Sequence, residues 1–175
     1  MAARLIELRA LEPGDADALR DFRVRNRDFL GPWEPVRDER YYTVEAAAGT
    51  IEAQRVDREE DRGYAFGVFA PSLVGFVNLN GILRGAFDNA YLGYGVGEEW
   101  NGRGYATEAV REAARIGFTE LRLHRIQAAV IPRNLGSLRV LEKAGFRREG
   151  LAERYLKING VWEDHVIFAR TAEEY

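Results

Sequence analysis

The sequence predicts an α+β fold: a mixed, mostly antiparallel sheet of about seven strands with about four helices on its faces. Three observations predict it. First, apolar runs at 64–69, 73–83 and 91–97 follow one another across the short turns Pro71-Ser72 and 84–89, the pattern of an antiparallel meander. Second, the next apolar run, 125–131, is separated from 91–97 by a stretch of helical periodicity, and a helical crossover makes that strand pair parallel. Third, the chain closes with runs at 149–156 and 161–170 around Asn159-Gly160, a dipeptide suited to a two-residue hairpin turn.

The elements follow in order. Residues 4–10 alternate Ile6 and Leu8 with Glu7 and Arg9, which reads as a half-buried first strand. Pro13-Gly14-Asp15 marks a turn, with Asp15 placed to N-cap a helix carrying Leu19, Phe22 and Val24. Residues 26–35 read as a loop broken by Gly31-Pro32 and Pro35. Thr43 suits the N-cap of a second helix bearing Val44, Ala47, Ile51 and Val56. Its capping box is incomplete, because Ala46 stands where an acidic or amide side chain would close it. The mixed-sign run 57–62 reads as that helix's solvated end. After the strand at 91–97 comes the turn 100–106, and then a helix with Ala106, Ala109, Val110, Ala113, Gly117 and Leu121 on one face. Pro132 stops the strand at 125–131, and a last helix runs from Asn134 to Gly145.

Composition bounds the rest. A chain of 175 residues is expected to form one domain, 1–175. Its apolar share of 46% supports a core, and its 30% of charged residues a solvated surface. A formal net charge of −3 supplies no basic field, so neither a direct nucleic-acid partner nor a membrane is expected. The absence of cysteine excludes disulfides, thiolate metal sites and a cysteine nucleophile. His124 and His165 are too few for a typical zinc site unless carboxylates complete it, so no metal is expected. They read as structural residues. The first residues hold no long apolar core, and the expectation is a soluble cytoplasmic protein, monomer or homodimer.

The turn Trp100-Asn101-Gly102-Arg103-Gly104-Tyr105-Ala106 carries the chemistry. A helix start leaves its first N–H groups without partners and bears a partial positive charge. Glycines at 102 and 104 and the small Ala106 open those donors to an anion, most naturally a pyrophosphate. The alternative is an ordinary tight turn that needs glycine for positive φ. A P-loop requires Lys and then Ser or Thr after its second glycine, where Tyr105-Ala106 stands. A dinucleotide fold requires a carboxylate ending the next strand, where the chain reads Val130-Ile131-Pro132-Arg133.

The segment Asn101-Gly102-Arg103-Gly104-Tyr105-Ala106 resembles the acetyl-CoA loop of the GNAT family of acyl-CoA-dependent N-acetyltransferases, Gln/Arg-x-x-Gly-x-Gly/Ala, with Asn in the first place. Asn134-Leu135-Gly136-Ser137 and Val140-Leu141-Glu142-Lys143-Ala144-Gly145-Phe146 are similar to the family's second CoA-contacting segment. Residues 26–35 and 155–165 resemble its ribosomal-protein-alanine N-acetyltransferase branch, so the likeness spans essentially the whole chain.

The resemblance implies a sheet whose central strands splay at the acyl-CoA site. The strand backbone at Tyr94, Gly95 and Val96 would bind the pantetheine arm and the thioester carbonyl, and 101–106 the pyrophosphate. Asn134 would contact pantetheine or cap the last helix; Lys143 and Arg139 would reach CoA phosphates or complement that helix's C-terminal half. The tyrosine that protonates the leaving thiolate in many family members is Leu141 here. In the ribosomal branch a serine takes that role, which falls on Ser137; the alternative is a Ser137 engaged only within its own helical turn. Trp33, Tyr41 and Tyr42 would line the acceptor cleft or pack their loop onto the sheet. Glu98, Glu99 and Asp88 lie near the expected cleft, but a water chain serves equally as base. The implied activity is acetyl transfer from acetyl-CoA to a primary amine in a ternary complex, the acceptor being the N-terminal α-amine of a protein. A small amine such as a polyamine or an amine-bearing antibiotic, and a non-catalytic CoA-binding module, are the alternatives.

Overall fold

The structure, a computed structural model of the protein, describes residues 5–175. Residues 1–4, including Arg4 of the expected first strand, lie outside the described residues. The strands are β1 (Glu7–Arg9), β2 (Gly63–Ala70), β3 (Ser72–Leu83), β4 (Asn89–Val96), β5 (Arg125–Val130), β6 (Arg147–Ile158) and β7 (Val161–Thr171). They form one seven-stranded sheet in the order β1-β2-β3-β4-β5-β7-β6. Every neighbouring pair is antiparallel except β4 and β5, which are parallel as a helical crossover requires. The helices are α1 (Ala16–Arg25), the single turn α2 (Arg27–Leu30), α3 (Val44–Glu59), α4 (Tyr105–Arg115) and α5 (Leu135–Lys143).

Strand alternation divides the core between the two faces of the sheet. On β3, Val77 and Leu79 join the cluster under α4, with Ala109, Val110, Ala113, Ile126 and Phe168. Phe76 packs with the other cluster, beneath α1 and α3, where Leu19, Phe22, Ala47, Ile51 and Leu73 are buried. The stripe read on α4 is the face it buries, though the last turn, Ile116–Glu120, widens into a π-helical turn. Gly117 keeps this turn close to β5: a Cβ there would stand 2.6 Å from the Ile126 Cδ1, so a side chain would force the end of Ile126 to move.

The N-terminal third departs from expectation in three places. Asp15 does not cap α1 with its side chain; a turn of 3₁₀-helix, Pro13–Asp15, precedes the helix. The Asp15 carboxylate accepts from both Arg9 guanidinium nitrogens, at 2.7 and 2.9 Å, and from the Glu12 N–H at 2.8 Å. Val24 is 50% exposed, and Arg23 takes the inward position. The expected loop 26–35 contains α2 and a 3₁₀ turn, Gly31–Trp33, whose Pro32 occupies a first-turn position where no N–H is needed. Thr43 does cap α3, its hydroxyl accepting from the Ala46 N–H at 3.2 Å. The β6–β7 hairpin turns at Asn159 and Gly160 with φ of 45° and 83°, as a two-residue turn of this type demands. Among the described residues no helix is long and apolar enough to cross a membrane.

Candidate active site

The site begins where β4 and β5 part. They pair only at Asn89, Ala90 and Tyr91 with Arg125, Ile126 and Gln127. Beyond that point β4 stays bonded to β3, while Ala128 to Val130 stay bonded to β7. The facing edges are left without a strand partner, and a buried backbone edge demands one. A cavity of about 380 Å³ opens at this notch. Tyr94, Gly95 and Val96 of β4 line it, with Asn101, Ala106, the stretch from Arg133 to Ser137, Val140, and Phe29, Leu30 and Trp33.

The glycine turn stands beside this cavity. Gly102 and Gly104 have φ of 73° and 88°, so the demand for glycine is conformational. Space makes no such demand: nothing lies within 4 Å of a Cβ at Gly102, and only Leu5 Cδ2 at 3.9 Å at Gly104. The φ values meet the tight-turn reading, and the open space leaves room beside the turn. Gly104 is the N-cap of α4 and has no side chain to cap it, which leaves the first helical N–H groups open to an anion. Asn101 turns inward on its own loop, its Oδ1 accepting from the Gly102 N–H at 3.0 Å. Arg103 lies over the Trp100 ring at 5.5 Å, and Trp100 meets Tyr105 edge to face.

The start of α5 closes the cavity. Asn134 caps the helix, its Oδ1 accepting from the Ser137 N–H at 3.1 Å, and it lines the cavity as well. The Ser137 Oγ lies 2.6 Å from the Tyr94 hydroxyl, which is also 3.1 Å from the Ser137 carbonyl oxygen. Burial pushes the Tyr94 phenol well above its usual pKa, outweighing the hydrogen bond to Ser137, which acts in the opposite direction.

A smaller cavity of about 280 Å³ lies on the α1/α3 face of the sheet. Its lining includes Phe22, Phe66, Phe76, Tyr41, Tyr42, Arg23 and Glu34, and it shares Leu30 with the cavity at the notch. Two guanidinium groups lie over the Tyr41 ring, Arg23 at 4.0 Å and Arg37 at 4.7 Å. Arg23 donates to the Tyr41 carbonyl at 3.1 Å and to Thr50 Oγ1 at 2.8 Å. Burial lowers the Arg23 pKa and raises those of Tyr41 and Glu34, with Arg37 and Arg23 partly offsetting the shift at Glu34.

Comparison with known proteins agrees with this geometry. Residues 5–147 match the family model described as acetyltransferase (GNAT) domain. The chain belongs to the GNAT acetyltransferases. As a GNAT protein it is similar to the probable N-acetyltransferase YjcK of Bacillus subtilis, at 46% identity over 172 residues, 97% of this chain and 95% of that one. It is 36% identical over 171 residues to the ribosomal protein uS5-alanine N-acetyltransferase of Escherichia coli, covering 96% of this chain and 88% of that one. Among solved structures, Mycobacterium smegmatis RimJ in complex with CoA-disulfide superposes with a TM-score of 0.93 at 35% identity, covering 97% of this chain and 83% of that one. The protein is thus an acyltransferase of the N-acetyltransferase class.

In this GNAT domain the structure gathers most, not all, of the residues singled out in the sequence. Trp33 and Tyr41 part company: Trp33 lines the notch cavity beneath the Arg133 guanidinium, 5.0 Å away, and Tyr41 lines the smaller one. Lys143 lies outside the notch cavity. It ends α5, where its carbonyl accepts from Arg111 at 2.7 Å. Asp88 sits at the opposite end of β4, paired with Arg84 at 3.3 Å, and exposed Glu98 and Glu99 line neither cavity. The Tyr94 hydroxyl is the polar group that sequence reading missed, because Tyr94 was singled out for its backbone alone.

Proposed function

We propose that this protein transfers the acetyl group of acetyl-CoA to the N-terminal α-amine of a protein. The parting of β4 from β5 beside the uncapped start of α4 carries the reading: it provides a free strand edge for an amide-bearing arm and bare N–H donors for its diphosphate. Acetyl-CoA, when bound, supplies the thioester that an amine attacks. The Tyr94–Val96 edge would hold the pantetheine arm, Asn134 Nδ2 would add a donor, and the turn 101–106 would hold the pyrophosphate.

The Ser137 Oγ holds a proton for the departing sulfur, and recovers one through water from the nitrogen as the amide forms. No proton is gained or lost overall. The α1/α3 cavity, which shares Leu30 with the wall of the notch cavity, receives the acceptor, with Tyr41 and Glu34 in its own wall and Trp33 in that of the notch. The two named relatives that modify ribosomal proteins, or carry the name RimJ, favour a protein N-terminus.

The chemistry favours the same acceptor. A free α-amine loses its proton at a pKa of about 8, against about 10 for a lysine side chain. The notch cavity presents no carboxylate, so the enzyme works best on an amine that is readily neutral. Mass spectrometry of paired peptides tests this. Short peptides with a small, free N-terminal residue should turn over, and the same peptides with blocked N-termini and free lysines should not. Equal acetylation of both sets, or activity confined to polyamines, assigns the acceptor to the small amines instead.

A further inference from the structure

Tyr94 and Ser137 stand on different elements, 43 positions apart, yet their hydroxyls meet at 2.6 Å and both line the notch cavity. The Tyr94 oxygen is also 3.1 Å from the Ser137 carbonyl. A phenol has one proton to donate. Donated to the carbonyl, it turns the Ser137 proton back toward Tyr94. Donated to Oγ, it leaves the Ser137 proton free to point into the cavity. Only the second arrangement lets Ser137 serve a sulfur there.

We propose that Tyr94 is the positioning residue of Ser137: its phenol donates to Ser137 Oγ, and so holds the Ser137 proton toward the leaving sulfur. The inference rests on the reading of Ser137 as proton donor. A hydroxyl that accepts a hydrogen bond becomes a stronger donor in turn, and the bond strengthens as negative charge grows on Oγ. Tyr94 stays neutral throughout, since burial keeps its phenol protonated at working pH. Leu141, one helical turn beyond Ser137, brings no hydroxyl, so the support comes from β4. The strand residue whose backbone lies on the parted edge thereby also sets the rotamer of the donor on α5.

Bound CoA reads the arrangement without any acceptor. The thiol of CoA in the complex is titrated by thiolate absorbance in wild type, Ser137→Ala, Tyr94→Phe and the double variant. A donor facing the sulfur stabilises thiolate, so wild type should titrate lowest. Tyr94→Phe should raise the value by about half a unit, roughly threefold in ionisation constant, and Ser137→Ala should raise it further. The double variant should match Ser137→Ala, because Tyr94 acts through Ser137. CoA affinity at neutral pH should be unchanged by calorimetry, and Tyr94→Phe should lower kcat several-fold with KM for acetyl-CoA unchanged. Tyr94→Phe keeps the ring that packs against the core, so the fold survives. A wild-type titration in Tyr94→Phe overturns the proposal. So does a double variant in which the two shifts add, which gives Tyr94 a role separate from Ser137. A wild-type titration in Ser137→Ala fails the donor reading itself; a surviving Tyr94→Phe shift would then make the phenol the direct donor.

Discussion

Gly104 shows how much one residue can carry. Its φ of 88° is the left-handed region, and the space where a side chain would stand is open. That combination separates strain from occlusion. Gly104→Asn introduces a neutral side chain that tolerates positive φ, whereas Gly104→Asp adds a negative charge that suits the helix start and repels a pyrophosphate there. Both variants should fold. We expect Gly104→Asp to bind CoA at least about tenfold more weakly than Gly104→Asn, a difference of about 1.4 kcal/mol, measured by calorimetry. Equal affinity would place the pyrophosphate elsewhere. The glycines were legible because their constraint is local. The Tyr94–Ser137 pair was not, because no spacing along the chain announces a contact between a strand and a helix start so far apart. Arg23 was illegible for the same reason: its partners come from the segment after α1 and from α3.

At the scale of elements, the start of α1 shows a legible signal put to a different use. Pro13-Gly14-Asp15 marked a helix entrance correctly, and a helix follows. Its carboxylate instead ties the entrance to β1 through Arg9. That hydrogen bond, with the Glu12 N–H behind it, holds the Asp15 pKa below the usual carboxylate value despite partial burial. The folded value is depressed, so the stabilisation is fully present above the unfolded pKa of about 3.9 and is lost as pH falls through the folded value. Asp15→Asn should therefore cost about 1 kcal/mol at neutral pH, the Arg9 partner being substantially exposed. In urea unfolding at pH 7 and then below pH 4, the gap between variant and wild type should shrink. A gap that persists in acid would mean that shape, not charge, holds the entrance. The same helix shows why Val24 was misplaced. A ten-residue helix with Leu19 and Phe22 inward leaves its last turn undecided, and Arg23 wins the inward position through acceptors on other elements.

For the whole molecule, the meander, the crossover and the closing hairpin were each readable from nearby residues, whereas the pairing of β1 with β2 and of β7, not β6, with β5 was not. What periodicity left unread was how the two faces of the sheet communicate; the parting of β4 from β5 came from family resemblance alone. Asn26 makes that connection. It is 7% exposed, with its Nδ2 donating to the Phe22 carbonyl at 2.8 Å and its Oδ1 accepting from the Glu98 N–H at 2.9 Å. The end of α1 is thereby pinned just past the end of β4, the strand that bounds the notch, and Asn26 itself lines the smaller cavity on the α1/α3 face. Gly97 makes room, since a Cβ there would meet the Asn26 amide at 2.9 Å. Asn26→Ala would orphan the Glu98 N–H and release the two walls from each other. We expect a loss of about 1 kcal/mol in urea unfolding, the net worth of a part-buried hydrogen bond. Because the pin joins both walls, KM should rise for acceptor and acetyl-CoA alike, unlike Gly104→Asp, which acts on the CoA side only. An Asn26→Ala enzyme that loses stability but keeps both KM values would show that the walls hold their positions independently, each on its own half of the sheet.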